Sequence, residues 1–270
     1  MKVEGKIGFI GGGQMGEALI RGLLQAKIIT ADRILVMDPD VSRRTTLAEQ
    51  YSVAVHDHGA PIWSACRIVI LAVKPQVMKM ALQENRTLIG KKHLLISIAA
   101  GIPLAFLEQH TPAGSRIIRV MPNTPALVLE AASALSAGSC ATPDDMEAAI
   151  AIFEAIGRTV VVDESQLDAV TGLSGSGPAY VFTFIEAMID AGLRVGLSRS
   201  VSETLVLQTV LGATKLAMAG KQHPAQLRAM VTSPGGTTIA GLHTLESAGF
   251  TGIIMSAVEA ATKRSAELGK

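Results

Sequence analysis

The chain has 270 residues, 49% hydrophobic and 17% charged, enough for one large or two modest domains with a substantial core and too apolar for disorder. Aromatic content of 3% argues against carbohydrate and single-stranded nucleic-acid sites, which lean on stacking, and a net charge of +1 leaves no electrostatic footprint for nucleic acid or an acidic membrane. No apolar run approaches the roughly 20 residues a spanning helix needs; the greasiest stretch, 94–107, is interrupted by Ser97, Gly101 and Pro103 and reads as a strand, a loop and a helix start.

In chain order, residues 6–10, 33–37, 67–73, 93–98 and 116–121 read as strands. Each is near-continuously apolar rather than alternating, as expected for a parallel sheet covered on both faces. Helical patterns at 15–26, 41–51 and 77–88 fall between them, so the order is β-α-β-α and implies an α/β fold, a Rossmann-type doubly wound sheet. A helix over 144–156 follows, with Met146, Ala149, Ile150, Phe153 and Ile156 on one face, and a strand at 159–162 closes the domain. The first strand is expected within a few residues of the N-terminus, which leaves no room for a signal peptide.

After Asp163 the pattern becomes helical throughout: 167–193, 200–219, 224–231, 239–247 and 251–268, separated by glycines or prolines. The chain therefore divides into a dinucleotide-binding domain, 1–163, and an all-α domain, 164–270. The wide apolar faces of these helices suggest a self-association surface; the alternative is that they bury each other within one subunit. Cys66 and Cys140 stand apart, with no CxxC, and are expected to be buried thiols of a cytoplasmic protein.

The first predicted strand runs into Gly11-Gly12-Gly13-Gln14-Met15-Gly16 and then an amphipathic helix. Gly11, Gly13 and Gly16 match GxGxxG: a tight turn, a close approach to a pyrophosphate, and close helix–strand packing. The helix N-terminus offers free N–H groups to the phosphates. Alone the motif is weak; between a strand and a helix, at the head of a β-α series, it predicts a dinucleotide site. Asp38, at the end of the second strand, suits the ribose hydroxyls of NAD, whereas Ser42, Arg43 and Arg44 could hold the 2′-phosphate of NADP. The bland reading makes these residues the cap of a solvated helix, and the choice between NADH and NADPH stays open.

Ligands of open α/β sheets bind beyond the carboxyl ends of the strands. That places Ala72, Val73, Lys74 and Pro75, then Ala99, Ala100 and Gly101, then Met121 to Pro125 with the Asn123 amide, at the nicotinamide end. Lys74 could equally be a solvated lysine, and Pro122 and Pro125 a rigid loop. Ser174-Gly175-Ser176-Gly177-Pro178 either permits close helix packing or brings backbone near a ligand. His56 and His58 flank Asp57 without a third zinc ligand, so no metal is expected. His223 reads as a helix-start residue, and His243 as packing or solvated.

The segments GFIGGGQMGEAL, LAVKP, SIAAGI, RVMPNTP, TGLSGSGPAY and QHPAQLRAMVTSPGGTTIAGLHTLE together resemble pyrroline-5-carboxylate reductase, over essentially the whole chain and in order. The stretch 227–246 is the most specific. The resemblance implies an N-terminal Rossmann domain and a helical domain that interlocks with a partner's into a homodimer, with further assembly of dimers. It implies that NADPH or NADH, held by Gly11, Gly13, Gln14, Met15, Gly16, Asp38 and Arg43 and by the strand-end residues above, delivers hydride to the C=N carbon of 1-pyrroline-5-carboxylate, giving L-proline, the last step of proline synthesis. One departure is Lys221, where some members carry an acidic residue.

The implied substrate carries a carboxylate, and Ser233-Pro234-Gly235-Gly236-Thr237-Thr238 offers the anion donors: a turn, then a helix start. The resemblance implies that Ser233, Gly235, Gly236, Thr237 and Thr238 bind substrate, that Val231 forms an apolar wall, and that the Thr238 hydroxyl faces the ring nitrogen as the catalytic group. The plain alternative for Thr238 is an ordinary N-cap. A β-hydroxyacid dehydrogenase is the nearest rival, but its catalytic lysine has no counterpart in 167–193; a dinucleotide-binding regulator would not need the TSPGGTT loop.

Overall fold

The computed structural model describes residues 5–220 and 222–269; Lys221 lies outside them. Among the described residues eight strands form one sheet: β1 (Ile7–Ile10), β2 (Ile34–Met37), β3 (Ala54–His56), β4 (Ile68–Leu71), β5 (Leu94–Ser97), β6 (Arg116–Met121), β7 (Ala131–Ala137) and β8 (Gly157–Val161). Their order is β3-β2-β1-β4-β5-β6-β7-β8. The six strands from β3 to β6 are parallel, β7 turns antiparallel to β6, and β8 is parallel to β7. The sheet is thus the expected doubly wound one with a two-strand extension of mixed direction.

The continuous apolar strands bury both faces. Ile7, Phe9, Ile34, Val36, Ile68 and Ile70 join one core cluster, and Ile10, Leu35, Val69, Leu71 and Leu95 the other. Helices α1 (Gln14–Gln25), α2 (Val41–Tyr51) and α6 (Pro143–Glu154) supply Leu19, Leu23, Leu47, Ile152 and Phe153 to the first. Helices α3 (Ala60–Ala65), α4 (Pro75–Asn85) and α5 (Leu104–His110) supply Ile62, Trp63, Met78, Leu82 and Leu107 to the second. Each such side chain contributes about 1.5–3 kcal/mol by leaving water, so the crossovers are pinned from both sides and the strand ends are held in place.

Three elements were not anticipated. β7 is the run AASALSA, too poor in branched and aromatic side chains to announce a strand, yet its Ala131, Ala134 and Leu135 are buried. β3 has three residues and α3 six, below the length at which periodicity speaks. Cys66 is buried as expected, whereas Cys140 is exposed, a correction: it follows β7 in a surface turn after Gly138 and Ser139.

The expected single helix over 167–193 is broken. α7 (Leu167–Val170) passes into a π-helical turn, Thr171–Gly175, where the Ser176 amide bonds back to Thr171 O at 2.8 Å, before α8 (Gly177–Arg194) begins. The described residues then form α9 (Arg199–Ala219), α10 (Pro224–Met230), α11 (Thr237–Ser247) and α12 (Phe250–Leu268).

Two compact units result, one running to Ser176 and resuming at Ala260, the other Gly177–Glu259. Side chains tie residues 164–176 to the sheet unit. Glu164 accepts from the Leu104 amide and from Arg119 Nη1 at 2.8 Å, and Ser265 Oγ donates to Asp168 at 2.6 Å. Within the second unit α8 and α9 pack as an antiparallel pair, with Ser202 filling the space a side chain at Gly192 would need. Little else there is covered: Phe182, Leu205, Leu207, Leu211, Ile253 and Met255 are all exposed, and among the described residues of that unit only Ser202 and Val206 are buried.

Candidate active site

Gly11 leaves β1 with φ +104°, a conformation open to glycine, and a side chain there would stand 2.6 Å from Ala72 O. Its amide bonds to Met37 O at 2.8 Å, fixing the turn between β2 and β4. Gly13 is the N-cap of α1 with no side-chain cap, so the first-turn N–H groups lack an internal acceptor. A Cβ on Gly13 would meet nothing within 4 Å, whereas one on Gly16 would meet Gly11 O at 2.9 Å. Gly16 thus serves packing, and Gly13 keeps open the ground in front of a bare helix N-terminus. Gln14 is exposed and Met15 half-buried beside it. That combination fits a dinucleotide pyrophosphate.

Asp38 and Arg43, expected at the ribose, both turn to this loop. Asp38 Oδ2 accepts from the Gly12 amide at 2.7 Å and Oδ1 from the Asp40 amide at 2.9 Å. Arg43 donates to Gly12 O from Nε at 3.0 Å and Nη2 at 2.6 Å, and pairs with Glu17 at 2.6 Å. Tyr51 donates to the other Glu17 oxygen at 3.0 Å. Burial by itself would raise the Glu17 carboxyl, but the Arg43 and Tyr51 hydrogen bonds and the Arg43 charge outweigh it and hold it below its ordinary value. Arg44 Nη1 donates to the carbonyls of Asp38 and Pro39. Asp40 caps α2, accepting from the Ser42 amide and hydroxyl, each at 2.8 Å. Glu17 and Asp40 were not singled out in the sequence. Asp40 had a local signal, an aspartate one residue before a helical pattern; Glu17 lies 26 residues from its arginine and had none.

At the carboxyl ends of β4 and β5, Ala72, Val73 and Gly101 are half-buried, Ala99 is buried, and Ala100 and Lys74 are exposed. Lys74 is the N-cap of α4, with Pro75 at its first position. Pro75, Gln76, Ala100, Gly101, Thr171 and Ser265 line part of a cavity of about 520 Å³ within the first unit. The Asn123 amide is partly used: Oδ1 accepts from the Ala132 amide at 2.9 Å and Nδ2 donates to Ser174 O at 3.0 Å. Its side chain therefore ties the loop after β6 to the π-helical turn.

In the second unit Ser233–Gly236 is a turn closed by the Gly236 amide on Ser233 O at 3.1 Å, with Pro234 at its second position and Gly235 at φ +66° at its third, a type II arrangement. Gly236 is the N-cap of α11 and lacks a side-chain cap. Thr237 and Thr238 are therefore its first two helical residues, and Thr238 is not the N-cap. Its half-buried hydroxyl makes no hydrogen bond among the described residues, while Thr237, Ser233 and Val231 are exposed. The result is an uncapped N-terminus of an eleven-residue helix, with two hydroxyls on its first turn, suited to a carboxylate. His223 caps α10 in a reciprocal box with Gln226. Among the described residues no His, Cys, Asp and Glu group is arranged to hold a metal.

A family model described as pyrroline-5-carboxylate reductase dimerisation matches residues 164–268, and one described as NADP oxidoreductase, coenzyme F420-dependent, matches 6–101. The pyrroline-5-carboxylate reductase of Methanosarcina acetivorans is 48% identical over 98% of this chain and 98% of its own. The solved enzyme of that name from Coxiella burnetii superposes with a TM-score of 0.94 at 35% identity, covering 99% of this chain and 100% of its own. Pyrroline carboxylate reductase from Plasmodium falciparum, solved with NADP bound, gives 0.89 at 34% identity, with 100% of each chain covered.

Proposed function

This chain belongs to the pyrroline-5-carboxylate reductase family, and we propose on that premise how its own residues divide the work of reducing the C=N bond of 1-pyrroline-5-carboxylate to L-proline. It is an NAD(P)H-dependent oxidoreductase with a Rossmann-type unit and a helical dimerisation domain. The bound dinucleotide supplies the hydride. Gly13, Gln14 and Met15 would hold its pyrophosphate at the N-terminus of α1, with Gly11 and Gly16 shaping the turn and Asp38 and Arg43 fixing it. Ala72, Val73, Lys74, Pro75, Ala99, Ala100 and Gly101 surround its nicotinamide end, and Asn123 positions the neighbouring loop.

The turn Ser233–Gly236 and the first residues of α11, Thr237 and Thr238, receive the substrate's carboxylate, with Val231 as an apolar wall. Thr238 donates its hydroxyl to the ring nitrogen or accepts from it, orienting the C=N bond; the protonated imine takes its proton from solvent, so no strong general acid is required. The observation that carries this reading is the uncapped start of α11: a helix N-terminus with an unused hydroxyl at Thr238 has no structural task among the described residues. Purified protein given either reduced dinucleotide and 1-pyrroline-5-carboxylate should consume nicotinamide absorbance and form proline in equal amounts. Cofactor loss without proline would refute it.

The exposed apolar side chains of the second unit, which the described residues of that unit leave uncovered, support a homodimer built through it, with dimers able to assemble further. Light scattering reads the mass; a monomer at micromolar concentration would contradict the dimer. A cytoplasmic location is supported by two cysteines left unpaired. No helix among the described residues is long and apolar enough to cross a membrane.

A further inference from the structure

We propose that this chain binds NADH in preference to NADPH, and that Asp38 and Asp40 impose the choice while Glu17 withholds the arginine that would reverse it. The inference rests on the dinucleotide site assigned above and concerns only the ribose end of that site.

The two cofactors differ by one group, a phosphate in place of the adenosine ribose 2′-hydroxyl. A site for the phosphate needs uncommitted donors and net positive charge; a site for the hydroxyl needs an acceptor. At the end of β2 the acceptor is present. Asp38 is held half-buried by the Gly12 and Asp40 amides at 2.7 and 2.9 Å. Each of its oxygens accepts one bond there, and a carboxylate has roughly four acceptor positions, so lone pairs remain for a hydroxyl.

The donors are partly committed. Arg43 lies across the glycine turn with Nε and Nη2 on Gly12 O and Nη2 on Glu17 at 2.6 Å. Arg44 turns Nη1 onto two backbone carbonyls at 2.7 and 2.9 Å. The start of α2, a natural seat for a phosphate, is already occupied by the Asp40 carboxylate, which takes both the Ser42 amide and the Ser42 hydroxyl. Those hydrogen bonds, the Ser42 hydroxyl's first, hold the Asp40 carboxyl below its ordinary value, so it is charged at neutral pH. Four carboxylates, Glu17, Asp38, Asp40 and Asp57, thus lie among three guanidiniums, Arg21, Arg43 and Arg44, and positive charge is not in excess. A phosphate dianion arriving there meets the Asp38 and Asp40 carboxylates at short range, and the Arg43 charge that would attract it is already paired with Glu17.

Equilibrium titration of the purified protein with NADH and with NADPH, followed by dihydronicotinamide fluorescence and needing no substrate, tests this. NADH is expected to bind about tenfold more tightly or better. In Asp38→Asn/Asp40→Ser the ratio of the two dissociation constants should fall toward one. Glu17→Gln, which removes the negative charge that offsets Arg43, should strengthen NADPH alone. General damage to the turn would weaken both cofactors alike and leave the ratio where it was, so an unchanged ratio in both variants overturns the assignment to these residues. Equal or tighter NADPH binding by the parent chain overturns the preference itself. If neither dinucleotide binds, the site assignment fails first and takes this inference with it.

Discussion

Asp38 and Arg43 grip Gly12 from both ends, the carboxylate taking its amide at 2.7 Å and the guanidinium its carbonyl at 2.6 and 3.0 Å. The shape of the glycine turn is therefore set by β2 and α2 as well as by its own glycines. Glu17 anchors the guanidinium from α1, and its carboxyl titrates below the ordinary 4.5. A depressed carboxyl pKa gives stability that is present above the unfolded value and lost as pH falls through the folded one. Glu17→Gln should remove that part of the acid limb: the parent and the variant should differ in urea midpoint at pH 7, and the difference should shrink below pH 4.5. A constant difference across that range would show that Glu17 acts through shape alone.

Gly11 and Gly13 separate folding from binding. Gly11→Ala forces a side chain into a left-handed conformation 2.6 Å from Ala72 O and should destabilise the fold by about 1–3 kcal/mol in urea unfolding. Gly13 has φ −66° and open space in front of it, so Gly13→Val should cost no more than about 1 kcal/mol, as a poor N-cap. Its dinucleotide affinity should nonetheless drop roughly a hundredfold or more, about 2.7 kcal/mol, because the side chain occupies the pyrophosphate's place. Unaltered affinity in Gly13→Val would move the cofactor elsewhere.

Much of this was legible in the sequence. The strands β1, β2, β4, β5 and β6 announce themselves because each is apolar on both faces, and the glycine turn because GxGxxG sits between a strand and a helix. β7 was silent, since alanines and serines carry no strand signal until a neighbouring strand buries them. The π-helical turn was silent too, since Thr171–Gly175 keeps helical spacing and only the bond from Ser176 to Thr171 reveals the extra residue. Residue roles were less legible than positions. Nothing in the sequence near Asn123 shows that its amide also bonds Ala132 and Ser174; Thr238 had two readings, and the N-cap turned out to be Gly236. Partners distant in sequence decide such roles.

Thr238→Ala should leave dinucleotide affinity within about twofold and lower kcat by roughly ten- to a hundredfold, the worth of one well-placed hydrogen bond to a charged group. Thr238→Ser, which keeps the hydroxyl, should recover most of the loss. Equal rates for the parent and the alanine variant would remove Thr238 from the reaction.

The two cysteines should behave oppositely. Burial raises the Cys66 thiol to about 11, and its side chain is covered by the second core cluster; Cys140 is exposed. A chromogenic disulfide reagent should titrate one thiol per native chain and two after denaturation, with Cys140→Ser leaving none reactive in the native state. Rapid native labelling of Cys66 would mean that the face of the sheet beneath α3 opens readily.

Isotope transfer tests the central claim most directly. With dihydronicotinamide deuterated at C4 and ordinary 1-pyrroline-5-carboxylate, the proline produced should carry a single deuterium at C5, read by mass spectrometry and NMR. Proline without the label, or label lost with no proline formed, would contradict hydride delivery to the C=N carbon.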